Sequence, residues 1–199
     1  MSKIAVDVVL LPEGAMAERT IEANRELVDK FGEKIVLDKE KCLPHISLAM
    51  GCIEEKDIDA FGEILGETAE EAALEELVVV GIEVSENLLG EKVSVFEVER
   101  TEQLERFHYE VMEKVRPYFS YDVSGEMIYC GGEVAETTLE WIENYPEKSS
   151  FENFSPHITI GYGESGGMAF PIEFTASRLA LCHLGNHCTC REVLVSVEL

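Results

Sequence analysis

The sequence has few basic residues for its length. It contains 16 Lys and Arg against 40 Asp and Glu, and its formal net charge at pH 7 is −24. No basic cluster of about five to eight residues occurs anywhere in the chain. A field of this sign repels a long polyanion, so the composition argues against a general binder of duplexes or long single strands. A short nucleotide remains possible, because its few phosphates sense mainly local groups.

Long hydrophobic runs and targeting signals are also missing. No stretch reaches the roughly 18 uncharged apolar residues expected of a membrane span. The early apolar stretch is interrupted by Asp7 and lacks the form of a secretory signal. We therefore expect a cytoplasmic protein without a membrane partner. The six cysteines are expected to be reduced, because the chain is large and carries no export signal.

One short pattern occurs twice. Residues 44–48 read PHISL and residues 156–160 read PHITI, and a glycine follows six positions after each histidine. Alternate residues of a strand share a face, so His45 and Ser47 point to one side, and His157 and Thr159 repeat this arrangement. If the two copies face each other, the site contains two imidazoles and two hydroxyls.

This set of groups suits acid–base cleavage of a phosphoester. One neutral imidazole can take a proton from water, and a protonated imidazole can give a proton to a leaving oxygen. The hydroxyls of Ser47 and Thr159 can donate to the non-bridging phosphate oxygens. The reaction that fits is hydrolysis of a cyclic phosphodiester, and these steps need no metal or other cofactor.

The two motifs resemble those of the two-histidine phosphoesterases. This LigT-like group includes RNA 2′,3′-cyclic phosphodiesterases and 2′-5′ RNA ligase-like proteins, which carry two His-x-Thr/Ser-hydrophobic motifs. The resemblance implies an α+β fold with two lobes, in which antiparallel sheets flank a central cleft and helices lie outside. It also implies that His45 and His157 are the acid–base pair and that Ser47 and Thr159 bind phosphate.

Some relatives have an aromatic residue five positions after the second histidine, and here this residue is Tyr162. Strict alternation puts Tyr162 on the opposite face from His157, so a role in substrate binding requires a β-bulge near Gly161 or Gly163. The group also commonly has basic residues near the cleft. Few are available in this chain, and the candidates are Arg178, Arg191, Lys41 and Lys92.

The hydrophobic pattern predicts two similar halves. The first contains strands at 4–11, 35–37 and 44–51, helices at 15–31 and 57–73, and a hairpin formed by 77–84 and 92–98. The second contains a helix capped by Thr101 and ending at Pro117, a strand at 124–130, and a short helix capped by Thr137 or Thr138 and ending at Pro146. Strands at 156–162, 172–184 and 190–199 complete it. We expect one domain over 1–199 with interleaved lobes near 1–90 and 91–199.

Three other features have alternative interpretations. Cys182, His183, His187, Cys188 and Cys190 can be a zinc site or a buried cysteine stripe beside a turn. Asp7 can orient a catalytic histidine if its strand lines the cleft, or it can lie at an exposed edge. His108, beside the apolar face of its helix, is expected to be structural.

The sequence thus predicts a hydrolase that acts on a 2′,3′-cyclic nucleotide or a short RNA end. The alternatives are 2′-5′ RNA ligation, a nucleotide-binding module without activity, and a metal-binding protein built on the final hairpin. The base preference, the 2′ or 3′ product, the roles of the two histidines and the oligomeric state are not encoded in these motifs.

Overall fold

The computed structural model describes residues 2–71, 74, 76–86, 90–129 and 133–199. These residues form eight β-strands and four α-helices, which we number in chain order. The strands are β1 (Lys3–Pro12), β2 (Ile46–Glu54), β3 (Leu77–Glu86), β4 (Lys92–Val98), β5 (His157–Tyr162), β6 (Ile172–Phe174), β7 (Ala176–Leu184) and β8 (Cys190–Glu198). The helices are α1 (Gly14–Phe31), α2 (Ile58–Glu71), α3 (Glu102–Val115) and α4 (Glu136–Lys148).

The strands form two antiparallel four-stranded sheets. The first has the order β2-β1-β7-β8 and the second the order β5-β4-β3-β6. The fold is therefore α+β with two lobes, as predicted. Each sheet contains strands from both halves of the chain. In the first sheet, β7 and β8 of the second half join β1 and β2. In the second sheet, β3 of the first half pairs with β4.

The helices connect the two halves. Helix α1 follows β1 in the chain but packs against β5, and α3 and α4 follow β4 but pack against β2. Each motif strand therefore lies on a helix from the other half. The Asn24 side chain of α1 illustrates this contact, since its amide donates to the carbonyl of Ile160 on β5 at 2.8 Å.

Several predicted elements are present with nearly the predicted bounds. Strand β1, helix α1 with Gly32 at its end, the β3–β4 hairpin and the final β7–β8 hairpin all form. Thr101 caps α3, where its hydroxyl accepts from the Leu104 N–H at 3.1 Å. Helix α2 is described as far as Glu71, so the predicted end near Ala73 lies outside the described residues, as does most of the β3–β4 turn.

Two predicted strands are wrong. Residues 35–37 form a loop in which Ile35 and Leu37 are buried and Val36 is exposed, because the Asn24 side chain supplies the partners that a neighbouring strand would supply. It donates to the carbonyl of Ile35 and accepts from the N–H of Leu37. Residues 124–129 are irregular around a short 3₁₀ turn at Gly125–Met127. The end of that prediction, at Cys130, lies outside the described residues.

Other predicted bounds need correction. The predicted strand 172–184 is divided at Thr175, and its parts join different sheets. Helix α4 begins after Ala135 and continues through Pro146, because a proline in the last turn removes only one intrahelical bond. Thr138 does not cap this helix, since its hydroxyl donates to the Asn186 side chain at 2.8 Å. Phe31, the last residue of α1, is 54% exposed.

Candidate active site

The two motif strands are neighbours. Strand β2 is an edge strand of the first sheet and β5 is an edge strand of the second, and these two edges contact each other. Ile46, Leu48, Ile158 and Ile160 are buried, whereas the His and hydroxyl residues between them are half-buried. The alternation within both motifs thus directs the polar side chains away from the hydrophobic core.

Both motif strands have a β-bulge at the same position. On β2, Ser47 pairs with Val9 and Ala49 with Val8, so Leu48 is the additional residue. On β5, Thr159 pairs with Val95 and Gly161 with Ser94, so Ile160 is the additional residue. A bulge reverses the alternation beyond it. The fifth residue after each histidine therefore shares the face of that histidine.

The bulge brings Tyr162 to the side of His157 and Thr159. Tyr162 pairs with Val93, two residues from the Val95 that pairs with Thr159. Its hydroxyl lies 3.1 Å from Nδ1 of His187, and the Lys34 ammonium lies 4.8 Å from the centre of its ring. The geometric requirement for a role of Tyr162 in substrate binding is present.

The two imidazoles have the same orientation. Nδ1 of His45 lies 2.8 Å from the carbonyl of Leu43, and Nδ1 of His157 lies 2.8 Å from the carbonyl of Ser155. A carbonyl can only accept, so Nδ1 donates its hydrogen in both rings. Nε2 of each neutral ring therefore carries the free lone pair, which is the form needed for a general base.

Burial favours the neutral form of both rings. Burial, against the opposing effect of the Leu43 carbonyl and with a smaller contribution from repulsion by the His157 imidazole, lowers the pKa of His45 to about 4. Burial also lowers the pKa of His157, and the nearby Glu83 carboxylate acts in the opposite direction. The pKa of His45 thus responds to the charge of the His157 imidazole.

Asp7 belongs to this site, and the sequence left its role open between two interpretations. It lies on the central strand β1 and is fully buried, so the exposed-edge interpretation is wrong. Its Oδ2 accepts from the Ser47 hydroxyl at 2.6 Å and lies 3.9 Å from Nε2 of His45. The sequence signal that could have placed Asp7 in the site is a charged residue within an otherwise apolar strand.

The basic candidates differ in their placement. Arg178 pairs with Leu11, two residues from the Val9 that pairs with Ser47, so Arg178 shares the Ser47 face of the first sheet. It lines a cavity of about 220 Å³ that includes Leu43 and Pro44. Lys92 is in an ion pair with Glu164 at 2.7 Å, and Nε of Arg191 is buried without a hydrogen-bond partner among the described residues. Lys41 is exposed.

The expectation that all cysteines are reduced is wrong for one pair. Cys182 and Cys190 lie on the adjacent strands β7 and β8, with Cα atoms 5.5 Å apart, and form a disulfide. Cys42, Cys52 and Cys188 are free. The zinc interpretation of the final hairpin loses two thiolates to this bond. Within the described part of the chain, no three His, Cys, Asp or Glu side chains are grouped to hold a metal ion.

Comparison with known proteins gives no family. No protein-family model matches the chain, and no curated protein matches it. Among the described residues, no helix combines the length and apolar character that crossing a membrane requires.

Proposed function

We propose that this protein is a phosphoesterase that hydrolyses a cyclic phosphodiester by acid–base catalysis with two histidines. The proposal depends on one observation, the pair of equivalent motif strands in contact. Each strand has its bulge at the same position, and each directs one imidazole and one hydroxyl away from the core. This arrangement supports a fold and chemistry like those of the two-histidine phosphoesterases.

In this reaction one imidazole removes a proton from water through Nε2, and the water oxygen forms a bond to phosphorus. The bond from phosphorus to one ribose oxygen breaks, and the second imidazole, in its protonated form, gives that oxygen a proton. The phosphodiester becomes a monoester, and the proton taken by the first ring balances the proton lost by the second. Each such transfer contributes on the order of 10²–10⁴-fold to the rate.

The lowered pKa values fit this cycle if the substrate itself supplies the compensating charge. Without substrate, burial keeps both rings neutral near pH 7. An anionic phosphate between the rings raises the pKa of both, because it stabilises the imidazolium form. Repulsion between the rings then disfavours double protonation, which leaves one acid and one base.

The charge of the molecule supports a small substrate. A net charge of −24 opposes the approach of a long RNA, and Lys92 is already paired with Glu164. We therefore propose a nucleoside 2′,3′-cyclic phosphate or a short RNA end as the substrate. The 2′-5′ ligation alternative needs a basic track for two RNA ends. A binding module without activity would have no need for both complete motifs.

The proposal predicts turnover of nucleoside 2′,3′-cyclic monophosphates in the presence of a chelator. His45→Ala and His157→Ala are each expected to lower kcat by at least about 10²-fold, because each removes one proton transfer. The measurement is product formation from the four cyclic nucleotides, followed across pH. His183→Ala is the matched control, since this half-buried imidazole on β7 contacts the Met127 carbonyl and lies outside both motifs.

The outcomes separate the alternatives. A bell-shaped pH profile that both motif variants abolish supports the proposal. Turnover that the chelator removes favours a metal site, and binding of cyclic nucleotides without turnover favours the binding module. An unchanged rate in either motif variant contradicts the assignment of these two histidines.

A further inference from the structure

Asp7 raises a question about how Ser47 can bind phosphate. Oγ of Ser47 and Oδ2 of Asp7 lie 2.6 Å apart and share one hydrogen bond. A hydroxyl has one hydrogen, so a Ser47 that donates to Asp7 cannot donate to a phosphate oxygen at the same time. An ionised Asp7 can only accept, and it would therefore keep the Ser47 hydrogen directed inward.

The surroundings of Asp7 disfavour a carboxylate. Its side chain is fully buried, and Oδ1 has no hydrogen-bond partner among the described residues. Desolvation raises the pKa of Asp7 well above its usual value, and the bonds from Ser47 and from the backbone of Ala49 offset this only in part. These surroundings favour the protonated form of the Asp7 carboxyl group.

The titratable groups that face Asp7 supply little positive charge. Within the described residues, His45 is the one basic side chain within 4.0 Å of the carboxyl, and burial lowers its pKa. Tyr145 on α4 and Cys188 beside β8 also sense the Asp7 charge, and burial raises the pKa of both, so they stay neutral. Cys182, the β7 register partner of Asp7, is in the disulfide and does not titrate.

We propose that Asp7 is a positioning residue: as a neutral acid it donates its proton to the Ser47 oxygen, which releases the Ser47 hydroxyl to donate to a phosphate oxygen. The proton on Asp7 also removes a negative charge that would otherwise repel the bound phosphate. Ionisation of Asp7 reverses both effects, because Ser47 turns inward and a carboxylate lies beside the anion. Asp7 touches no reacting atom and acts through Ser47.

The second motif has no residue equivalent to Asp7. Asp7 pairs with Met50, the fifth residue after His45, and the corresponding partner of Tyr162 is Val93. Val93 has no titratable group, so no side chain at this position can control Thr159. The asymmetry provides a matched control within one protein.

The kinetic test rests on the proposed function and uses the pH dependence of KM for a nucleoside 2′,3′-cyclic monophosphate. In the wild-type protein KM is expected to rise by roughly 10-fold or more at alkaline pH, as one hydrogen bond to a charged group is lost. Asp7→Asn is expected to cancel the alkaline rise in KM, because the amide N–H donates to Ser47 at every pH. Ser47→Ala is expected to have a raised KM without the alkaline change, whereas Thr159→Ala keeps that change.

A second measurement does not depend on turnover. Carboxyl ¹³C NMR of the wild-type protein, assigned with Asp7→Asn, is expected to show Asp7 protonated at pH 7. An ionised Asp7 at pH 7, or an alkaline rise in KM that survives in Asp7→Asn, overturns the inference. If the wild-type protein turns over no cyclic nucleotide, the proposed function fails while the NMR result still decides the state of Asp7. Thermal unfolding of Asp7→Asn verifies that the variant is folded.

Discussion

His108 is a single residue whose environment has a measurable consequence for stability. It is fully buried on α3, and its ring stacks on Phe154 with the ring centres 4.0 Å apart. Its Nε2 accepts from the N–H of Phe151 at 2.8 Å. The imidazole therefore holds the 3₁₀ turn at Phe151–Asn153, which leads into the second motif strand, and its role is structural as predicted.

The pKa of His108 predicts a loss of stability in acid. Burial lowers this pKa from 6.5 to about 4, so between these values the unfolded chain binds a proton that the native protein does not. The free energy of unfolding must then fall as the pH decreases through this window. Urea unfolding measures the free energy of unfolding at pH 7 and at pH 5. The decrease between these two pH values is expected to be smaller in His108→Gln than in the wild-type protein.

Gln is a suitable replacement because its side-chain oxygen can accept from the Phe151 N–H without titrating. His45 has a similar lowered pKa and remains in both proteins, so part of the acid sensitivity persists. An equal loss in the variant and the wild-type protein would show that His108 does not cause the pH dependence.

At the scale of elements, the bulges in β2 and β5 determine which side chains meet. The bulge in β5 adjoins Gly161, whose φ is +150°, a conformation that side-chain-bearing residues rarely adopt. A Cβ at this position would lie 2.9 Å from Nδ2 of Asn24, the atom that donates to the carbonyl of Ile160. The glycine thus permits both the bulge and the contact between α1 and β5.

Gly161→Ala is expected to destabilise the protein by about 1–3 kcal/mol, since it adds backbone strain and displaces the Asn24 amide. The measurement is the free energy of unfolding in urea. Gly66→Ala is the matched control, because a Cβ at Gly66 of α2 meets no atom within 4 Å. This control is expected to stabilise by up to about 1 kcal/mol through helix propensity. A neutral Gly161→Ala variant would contradict the tight fit of β5 on α1.

At the scale of the whole molecule, charge opposes the proposed chemistry. Both the protein, with a net charge of −24, and a cyclic nucleotide are anionic, so their long-range interaction is repulsive. Around the site, this field is countered only by local groups. The field therefore opposes a long polyanion more strongly than a cyclic nucleotide with one phosphate.

Salt screens this repulsion over a Debye length that falls from about 30 Å at 0.01 M to about 8 Å at 0.15 M. The KM for a nucleoside 2′,3′-cyclic monophosphate is therefore expected to fall as the salt concentration rises over this range. The kinetics should be measured at constant pH, with circular dichroism at each salt concentration to verify that the protein stays folded. A KM that rises with salt would indicate that attraction to local cations dominates.

The sequence by itself determined most of the local elements and the identity of the motif residues. Period-two alternation around His45 and His157 correctly assigned the buried and half-buried side chains, because the hydrophobic effect acts on each residue through its own strand face. The Thr101 cap of α3 and the glycine that ends α1 are likewise predicted from residues close in the sequence. These features depend on interactions between residues close in the chain.

Tertiary structure alone decided which elements meet. The division of 172–184 between two sheets, the Cys182–Cys190 disulfide and the exchange of helices between halves depend on partners far away in sequence. The same is true of Asp7, because only the packing of its neighbours decides whether that carboxyl meets water or Ser47. Local patterns encode the face and period of a segment, whereas pairing and burial arise from the free energy of the whole assembled chain.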